Sequence, residues 1–442
     1  MTRATRRIMY ISFIILFFII APILLLYSSG YKYDWSLKKL IKTGLIVIEV
    51  QPRGADIILN NKAIKKTPTT LTNLLPGTYT LKLEKEGYLP WQGDITIKSG
   101  KAKNLSGIML FRDLPGQIIF DKKIFQINHQ PNSNKLFLIT QVDTIFELYQ
   151  ITLGDSKIIK LFEVPTPINI ETYEYNNNII ISTQANDIKT YYKITLVEPA
   201  VIAQLDFLPS NVEQLQWSDQ DKIFGLINNS LCLITLSDTN ISCDTVNINS
   251  YSVTNNAIYY FSGESKTTYL YKTTPNNFLA NNLVARLPYS ENYVINTENE
   301  RHLIITDTAS DDLFLVEPDE PESQITMLNE AARAAFWLNQ KDQLIYYNDF
   351  EIWYWDTKED ERILLTRVSE PIRQVIQLSG YPYLLFSQTK TIQALEIEAY
   401  SAARNITPLI YNASGWLAHG NEGKYIYYIG PDMNQIWQRE IR

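Results

Sequence analysis

The sequence predicts an all-β protein with one N-terminal transmembrane helix, and three observations lead to this prediction. Residues 8–27 form one uninterrupted apolar run. The rest of the chain consists of short apolar segments separated by turn residues, and 12% of all residues are aromatic. From residue 115 onward a strand pattern recurs about every 40 residues. The 442 residues therefore divide into a membrane helix, a small β-domain and a long repeat region.

Charge is distributed unevenly along the chain. Residues 1–111 contain 16 Lys and Arg against 6 Asp and Glu, whereas residues 112–442 contain 24 against 41. The acidic body would repel phosphate, so nucleic acid is not expected as a partner. The basic N-terminal part is suited to a position near an anionic membrane surface. Solubility alone explains the acidic body equally well.

The apolar run predicts a transmembrane helix over residues 8–28, with residues 1–7 as a cytoplasmic tail. About 20 helical residues span a hydrocarbon core of about 30 Å, so Ile8–Tyr27 is the expected contact with the lipid bilayer. Pro22 is tolerated in a membrane helix. The alternative is a cleaved signal peptide, but the apolar core of such a peptide is usually shorter, so we favour an uncleaved anchor.

Basic residues on both sides of the helix bear on its orientation. Three arginines precede it, and four lysines follow it at Lys32, Lys38, Lys39 and Lys42. The counts are nearly balanced, but the short basic head before a long apolar run favours a cytoplasmic N-terminus. The predicted location is the cell membrane, with the bulk of the chain outside the cytoplasm. Residues 29–43 are expected to form a linker that includes a helix lying along the surface.

Residues 44–111 have the pattern of a separate β-domain. Leu45–Val50 is apolar throughout, as in a buried strand, and Tyr79–Glu84 alternates apolar with polar residues. Asn60 and Asn61 stand where a tight hairpin turn is expected, because asparagine tolerates left-handed backbone geometry.

The order of the turn motifs in this domain resembles the PEGA domain family. The matching motifs are Gly44-Leu45, Pro52-Arg53-Gly54-Ala55, Asn60-Asn61, Lys66-Thr67-Pro68, Pro76-Gly77-Thr78-Tyr79 and Gly87-Tyr88. Arg53, Asn61 and Lys66 depart from the family pattern, and all three lie at turns. The resemblance implies a small β-sandwich of a kind common in envelope and surface proteins, and it implies no catalytic residues.

Residues 115–442 contain eight repeats. Apolar strands begin 35 to 45 residues apart, at Lys135, Asn178, Lys222, Ala257, His302, Gln343, Tyr383 and Lys424. A second strand follows each of them after 9 to 13 residues, and further apolar runs bring most units to four strands. Four strands in about 40 residues is the size of a β-propeller blade, so eight blades are predicted. Seven is the fallback if the short unit at Ala257 is degenerate.

The last unit has three strands, and Gln117–Asp121 is predicted to supply its missing outer strand. Turns such as Trp217-Ser-Asp-Gln-Asp-Lys222 resemble those of TolB-type and WD-like propeller repeats. This resemblance supports the fold and says little about partners, since propellers serve many functions.

The sequence contains no motif for catalysis or for cofactor binding. His129, His302 and His419 fall in different repeats and lack the spacing of a zinc site, so neither a metal nor a cofactor is expected. A propeller hydrolase or lyase acting on surface polysaccharide or peptide would need paired carboxylates at the central channel. Glu213 and Glu174 are weak candidates for such a pair. We therefore predict a non-enzymatic binding or scaffold module for an envelope protein or glycan, with the enzyme as the alternative.

Two sets of residues are candidate sites. Cys232 and Cys243 flank a predicted hairpin in which they would lie opposite each other, so a disulfide is geometrically possible, and two reduced core thiols are the alternative. Trp337, Trp416 and Trp437 are concentrated in the last repeats and could form an aromatic surface for sugar rings. The alternative for these tryptophans is the core between blades, because large aromatic residues dominate burial.

Overall fold

A computed structural model describes most of the chain, namely residues 3–35, 38–130, 133–243, 247–254, 256–264, 266–275, 277–299, 301–319, 325–328, 332–338, 342–420, 422–431 and 434–442. Within these residues one α-helix precedes 41 β-strands. This composition agrees with the predicted fold class.

Helix α1 extends from Arg3 to Ser28 and includes Pro22. Its segment Thr5–Ser28 has a mean hydropathy of 2.8 and is not buried against the rest of the protein. Apolar side chains exposed on all sides of a helix need surrounding lipid or protein. Among the described residues this is the one helix with the length and composition to cross a membrane, as an anchor or as a signal sequence.

The helix expected within residues 29–43 is not present, and this prediction was wrong. Strand β1 (Tyr31–Asp34) pairs with β2 (Lys39–Lys42) in an antiparallel hairpin. Tyr33 packs edge-on against Trp35 with ring centroids 4.9 Å apart, and aromatic side chains favour strands. The backbone N–H of Thr43 donates to the carbonyl of Gly30 at 2.7 Å. These contacts form a hairpin directly after the helix.

The next seven strands form a β-sandwich. One sheet has the strand order β6-β3-β9 and the other β5-β4-β7-β8. The core between them includes Ile46, Ile57 and Leu81, all fully buried. Asn60 and Asn61 both have positive φ, which is the geometry that tight hairpin turns require. The strands are β3 (Gly44–Gln51), β4 (Asp56–Leu59), β5 (Lys62–Lys66), β6 (Thr69–Leu74), β7 (Gly77–Glu84), β8 (Trp91–Ile97) and β9 (Ala102–Met109).

After β10 (Gln117–Asp121), the described chain forms eight sheets of four antiparallel strands. Sheet 1 contains β11 (Ile124–His129), β12 (Lys135–Val142), β13 (Ile145–Thr152) and β14 (Lys157–Val164); sheet 2 contains β15 (Ile168–Ile170), β16 (Asn178–Ala185), β17 (Ile188–Thr195) and β18 (Val201–Gln204). Sheet 3 contains β19 (Val212–Trp217), β20 (Lys222–Ile227), β21 (Ser230–Thr235) and β22 (Asn240–Cys243); sheet 4 contains β23 (Ser250–Val253), β24 (Ile258–Glu264), β25 (Thr267–Thr274) and β26 (Asn277–Pro288). Sheet 5 contains β27 (Tyr293–Asn296), β28 (Leu303–Asp307), β29 (Asp312–Val316) and β30 (Ile325–Leu328); sheet 6 contains β31 (Ala334–Trp337), β32 (Gln343–Tyr347), β33 (Glu351–Asp356) and β34 (Glu361–Arg367). Sheet 7 contains β35 (Gln374–Gln377), β36 (Tyr383–Ser387), β37 (Thr391–Glu396) and β38 (Ile406–Tyr411); sheet 8 contains β39 (Leu417–His419), β40 (Tyr425–Ile429) and β41 (Gln435–Glu440), with β10 as its fourth strand.

Sheet 8 joins the two ends of the repeat region. Its outer strand β10 pairs antiparallel with β41, with Gln117 opposite Gln438 and Asp121 opposite Gln435. This is the pairing that the three-stranded last repeat predicts. Side chains of sheets 8 and 1 share one buried cluster that includes Tyr427. The contact between the first and last sheets closes the repeat array, and β41, the last strand of the chain, is paired on both sides.

Strand direction alternates within each sheet, so the connections lie on two opposite faces. We call the face with the connections between first and second strands, and between third and fourth strands, the proximal face. The opposite face, with the connections between second and third strands and between consecutive sheets, is the distal face. The first strands of the sheets line the central channel.

The β-sandwich packs on the proximal face of sheet 7. Tyr400, in the connection between β37 and β38, belongs to the same buried cluster as Trp91 of the sandwich. Met109 donates its backbone N–H to the hydroxyl of Tyr383 at 3.1 Å. A Cβ atom on Gly93 would lie 2.5 Å from the Cβ of Ser401, so the two parts approach as closely as glycine allows.

A buried carboxyl group lies at the centre of this contact. Glu396 is 0% exposed. Its Oε1 accepts a hydrogen bond from Trp91 Nε1 at 2.6 Å, and its Oε2 accepts one from the backbone N–H of Asn405 at 3.1 Å. Burial raises the pKa of Glu396, and these hydrogen bonds oppose the rise only in part. The sandwich and the repeat region therefore share a continuous, hydrogen-bonded interface.

Candidate functional site

The first candidate site is the central channel. One cavity of about 780 Å³ lies beside the first strands of sheets 2 to 5. Its amide side chains hold neighbouring strands together: Gln214 donates to the carbonyl of Asn249 at 3.1 Å, and Gln216 donates to the carbonyl of Tyr251 at 2.9 Å. These glutamines satisfy backbone groups that the inner edges of the sheets leave unpaired.

Three carboxylates line this cavity, and lysine engages two of them, whereas Glu291 accepts a hydrogen bond from the hydroxyl of Tyr289. Glu171 accepts from Lys189 at 2.9 Å, and Glu174, which lies in the loop after β15, accepts from Lys135 at 3.0 Å. Glu213 lies on the first strand of sheet 3 with its side chain exposed. Glycoside hydrolysis requires two carboxyl groups that face the substrate, whereas Glu171 and Glu174 are each held by a lysine side chain. The described residues contain no group of three or more His, Cys, Asp and Glu side chains arranged to hold a metal ion.

A second channel cavity, of about 590 Å³, lies beside sheets 5 to 8 and brings together histidines from separate repeats. His129 and His419 both line it, because the ends of their first strands meet at the channel. Burial lowers the pKa of His129, as it does that of His302, which lies outside this cavity. The Nε2 atom of His419 contacts the carbonyl of Gln377. The side chains of these residues thus pack with the channel wall.

The three predicted tryptophans do not form one exposed surface. Trp337 is 9% exposed, and its Nε1–H has no hydrogen-bond partner among the described residues. Trp416 is half-buried with its ring at 89° to that of His129, and it lines the same channel cavity as Trp337. Trp437 stacks on Tyr428 at 6.3 Å, within the core between sheets. Two of the three therefore share a cavity.

A cavity on the distal face, absent from the sequence predictions, lies between sheets 7 and 8. It measures about 750 Å³ and is lined by ten residues, including Arg373, Lys390, Asn412, Ser414 and Trp416. Of the five residues named here, Trp416 alone was a candidate from the sequence. Sequence reasoning missed the other four because each is an ordinary polar loop residue until the ring brings the loops together.

Cys232 and Cys243 lie directly opposite each other in the β21–β22 hairpin. The structure joins them by a disulfide with their Cα atoms 4.0 Å apart. The pair belongs to sheet 3 and borders neither the channel nor the distal cavity. Its place therefore indicates a structural role, and its redox state in the cell stays a prediction.

Comparison with known proteins agrees with this architecture. Residues 43–109 match the PEGA domain family. The WD40 domain of Sif2 is similar with a TM-score of 0.51 at 11% identity, covering 74% of this chain and 98% of that chain. Dipeptidyl peptidase 4 of Porphyromonas gingivalis is 12% identical with a TM-score of 0.49, covering 71% of this chain and 56% of that chain. No curated protein sequence matches the chain.

At 11% identity the similarity to the WD40 domain of Sif2 shows the fold alone. The chain thus combines a PEGA domain with a propeller-like C-terminal part and an apolar N-terminal helix. The number of eight blades stays a prediction.

Proposed function

We propose that this chain is a membrane-anchored, non-enzymatic envelope protein whose propeller binds another component of the cell surface, a protein or a glycan. The observation that carries the proposal is the buried contact between the PEGA domain and the proximal face of sheet 7. Helix α1 and its hairpin lead directly into the PEGA domain, so the distal face points away from the domain that adjoins the membrane helix. A rigid face with exposed loops is suited to recognition.

Photo-crosslinking in intact cells tests this proposal. A photoreactive residue replaces exposed Thr389 on the distal face, and a matched control replaces exposed Glu398 on the proximal face. We expect Thr389 to capture one consistent envelope protein or glycan and Glu398 not to capture it. Equal capture from the two positions, or none from Thr389, would contradict the proposal.

Orientation is tested separately. We expect α1 to retain the full chain in membranes after alkaline carbonate washing, and protease added to intact spheroplasts to degrade residues 44–442. Cys232 and Cys243 should react with a thiol reagent only after reduction, because a disulfide persists in an oxidising compartment. Protection of the large domain, together with two freely reacting thiols, would reverse the proposed orientation.

The alternative function is a hydrolase or lyase acting on surface polysaccharide or peptide. The lysine partners of Glu171 and Glu174 argue against it, because each carboxylate is already engaged by a cation of the protein and is not free to act on a substrate. Turnover of a polysaccharide or peptide by the purified chain, abolished by Glu171→Gln or Glu174→Gln, would establish the enzyme instead.

A further inference from the structure

The distal cavity between sheets 7 and 8 has a charge opposite to that of its surroundings. Two of its lining residues, Arg373 and Lys390, are cationic, and none of the ten is Asp or Glu. Residues 112–442 carry 24 Lys and Arg against 41 Asp and Glu, so a cavity whose described charged residues are both cationic stands out. Neither cation forms an ion pair with any described residue. Both charges are therefore available to an anionic ligand.

The walls of this cavity are fixed by hydrogen bonds. Ser387 donates its hydroxyl to the carbonyl of Gly415, whose φ is +72°. Ala413 donates its backbone N–H to the carbonyl of Lys390 at 3.1 Å, and Ser414 donates to that of Ile429 at 2.9 Å. Because these bonds hold the backbone of the loops, the positions from which the cationic and hydroxyl side chains project are set before a ligand arrives.

The distal cavity adjoins the channel cavity of about 590 Å³, and Gln374 and Trp416 line both of them. The Gln374 Oε1 atom accepts from the backbone N–H of Leu417 at 3.0 Å, which fixes the amide group at the boundary. Beyond this boundary Trp337 offers a buried N–H without a described partner. Each cavity falls within roughly 300–1,000 Å³, the usual size of small-ligand sites. Together they offer an elongated path with an aromatic ring at its middle.

The equivalent position in sheet 6 has different chemistry. There Arg333 occupies the position before the first strand that Arg373 occupies in sheet 7, but its guanidinium lies 3.3 Å from Asp349. The cavity beside it is lined by Asp311, Asp349 and Glu351 as well. Unpaired positive charge is therefore a feature of the cavity between sheets 7 and 8, and the fold by itself does not impose it.

We propose that the distal cavity binds an acidic saccharide chain whose carboxylates are held by Arg373 and Lys390. This inference rests on the proposed binding function and specifies its ligand. One sugar ring stacks on Trp416, as aromatic rings present a flat apolar surface. The amide and hydroxyl groups of Asn412, Ser414 and Gln374 bond the sugar hydroxyls. The charge-assisted bonds to the cations select acidic over neutral sugars.

The test uses the full chain in detergent micelles and a panel of uronic-acid tetrasaccharides, each with its neutral methyl ester. Calorimetry measures the affinity of each. We expect at least one acidic tetrasaccharide to bind, its methyl ester to bind about tenfold more weakly or worse, and added salt to weaken the acidic ligand.

Three variants localise the site. Arg373→Gln and Lys390→Gln are each expected to lower the affinity for the acidic tetrasaccharide about tenfold. Arg333→Gln, which changes the matched arginine of sheet 6, should leave this affinity unchanged. Three results would overturn this inference: equal affinity for an acid and its ester, an equal loss of affinity in Arg333→Gln, or no binding across the panel. Capture of a protein by Thr389 in cells alongside such a failure would leave the proposed function standing without its saccharide ligand. If the crosslinking and the calorimetry both fail, neither the proposed function nor the saccharide ligand stands.

Discussion

The two faces of sheet 7 differ in how their polar groups are satisfied. On the proximal face Glu396 is fully buried, and hydrogen bonds from Trp91 and Asn405 satisfy its carboxylate oxygens. On the distal face Arg373 and Lys390 are exposed, and neither has a carboxylate partner among the described residues. The same four strands thus support two different features at their two ends. At one end is the buried contact between the PEGA domain and sheet 7, which we call the joint, and at the other is an open charged cavity. Substitutions at the joint should change stability, and substitutions in the cavity should change binding.

The largest expected effect is at Trp91. Trp91→Ala removes a ring that is 4% exposed and leaves the buried Glu396 without its indole donor. We expect the free energy of unfolding to fall by about 4 kcal/mol. Trp91→Phe keeps most of the apolar surface but loses the hydrogen-bond donor, so we expect the free energy of unfolding to fall by about 2 kcal/mol. Urea unfolding of the full chain in detergent measures both. A loss below about 0.5 kcal/mol for Trp91→Ala would show that the joint is not formed in solution.

An intermediate effect is expected at Gly93. The Cβ of Gly93→Ala would lie 2.5 Å from the Cβ of Ser401, so the PEGA domain and sheet 7 would be forced apart. Overpacking of this kind costs about 1–3 kcal/mol. Ser401→Gly in the same chain removes the nearest contact, while the contact with Trp91 Cη2 at 2.9 Å remains. In a double-mutant cycle by urea unfolding, the double variant should therefore recover part of the loss. If the change in the free energy of unfolding in the double variant equals the sum of the changes in the two single variants, the strain lies elsewhere.

The pH dependence of the joint has a definite sign. Burial raises the pKa of Glu396 above the ordinary value of 4.5, so the folded chain keeps this proton to a higher pH than the unfolded chain. The contribution of Glu396 to the stability of the folded chain is complete at pH values below its ordinary pKa. This contribution is lost as the pH rises through the raised pKa of the folded state. We expect Glu396→Gln to flatten this part of the profile when unfolding is measured from about pH 4 to pH 8. An identical profile in the variant would contradict the assignment.

The smallest expected effect on stability is at the distal cavity. Arg373→Gln should change the free energy of unfolding by less than about 0.5 kcal/mol, because this exposed cation has no described ion-pair partner. Arg333→Gln breaks a partly exposed pair with Asp349 and should cost about 0–1 kcal/mol. Thermal unfolding of both variants checks this. A loss of several kcal/mol at Arg373 would mean that the cation supports the fold, and the contrast between the two faces would fail.

The sequence by itself determined the local elements. Strands predicted to begin at Lys135, Asn178, Lys222, Gln343 and Tyr383 begin at those residues in the structure. Pairing of Gln117–Asp121 with the last repeat also followed from the count of strands. These predictions succeed because apolar periodicity and turn residues act over a few neighbouring positions. The linker was missed because its composition favours neither conformation strongly, and the contact between Thr43 and Gly30 favours a hairpin.

Only the tertiary structure decided which distant residues meet. Trp91 and Glu396 lie 305 positions apart, and neither is distinguished by its neighbours in sequence. The distal cavity likewise combines four loops of two repeats. Arg373 in this cavity has no ion-pair partner among the described residues, whereas Arg333, at the equivalent position of sheet 6, pairs with Asp349. Periodicity fixes where strands form, but the burial of a carboxyl group or the absence of a counter-ion depends on what closure of the ring packs beside it. That physical difference explains why the fold was predictable and the candidate site was not.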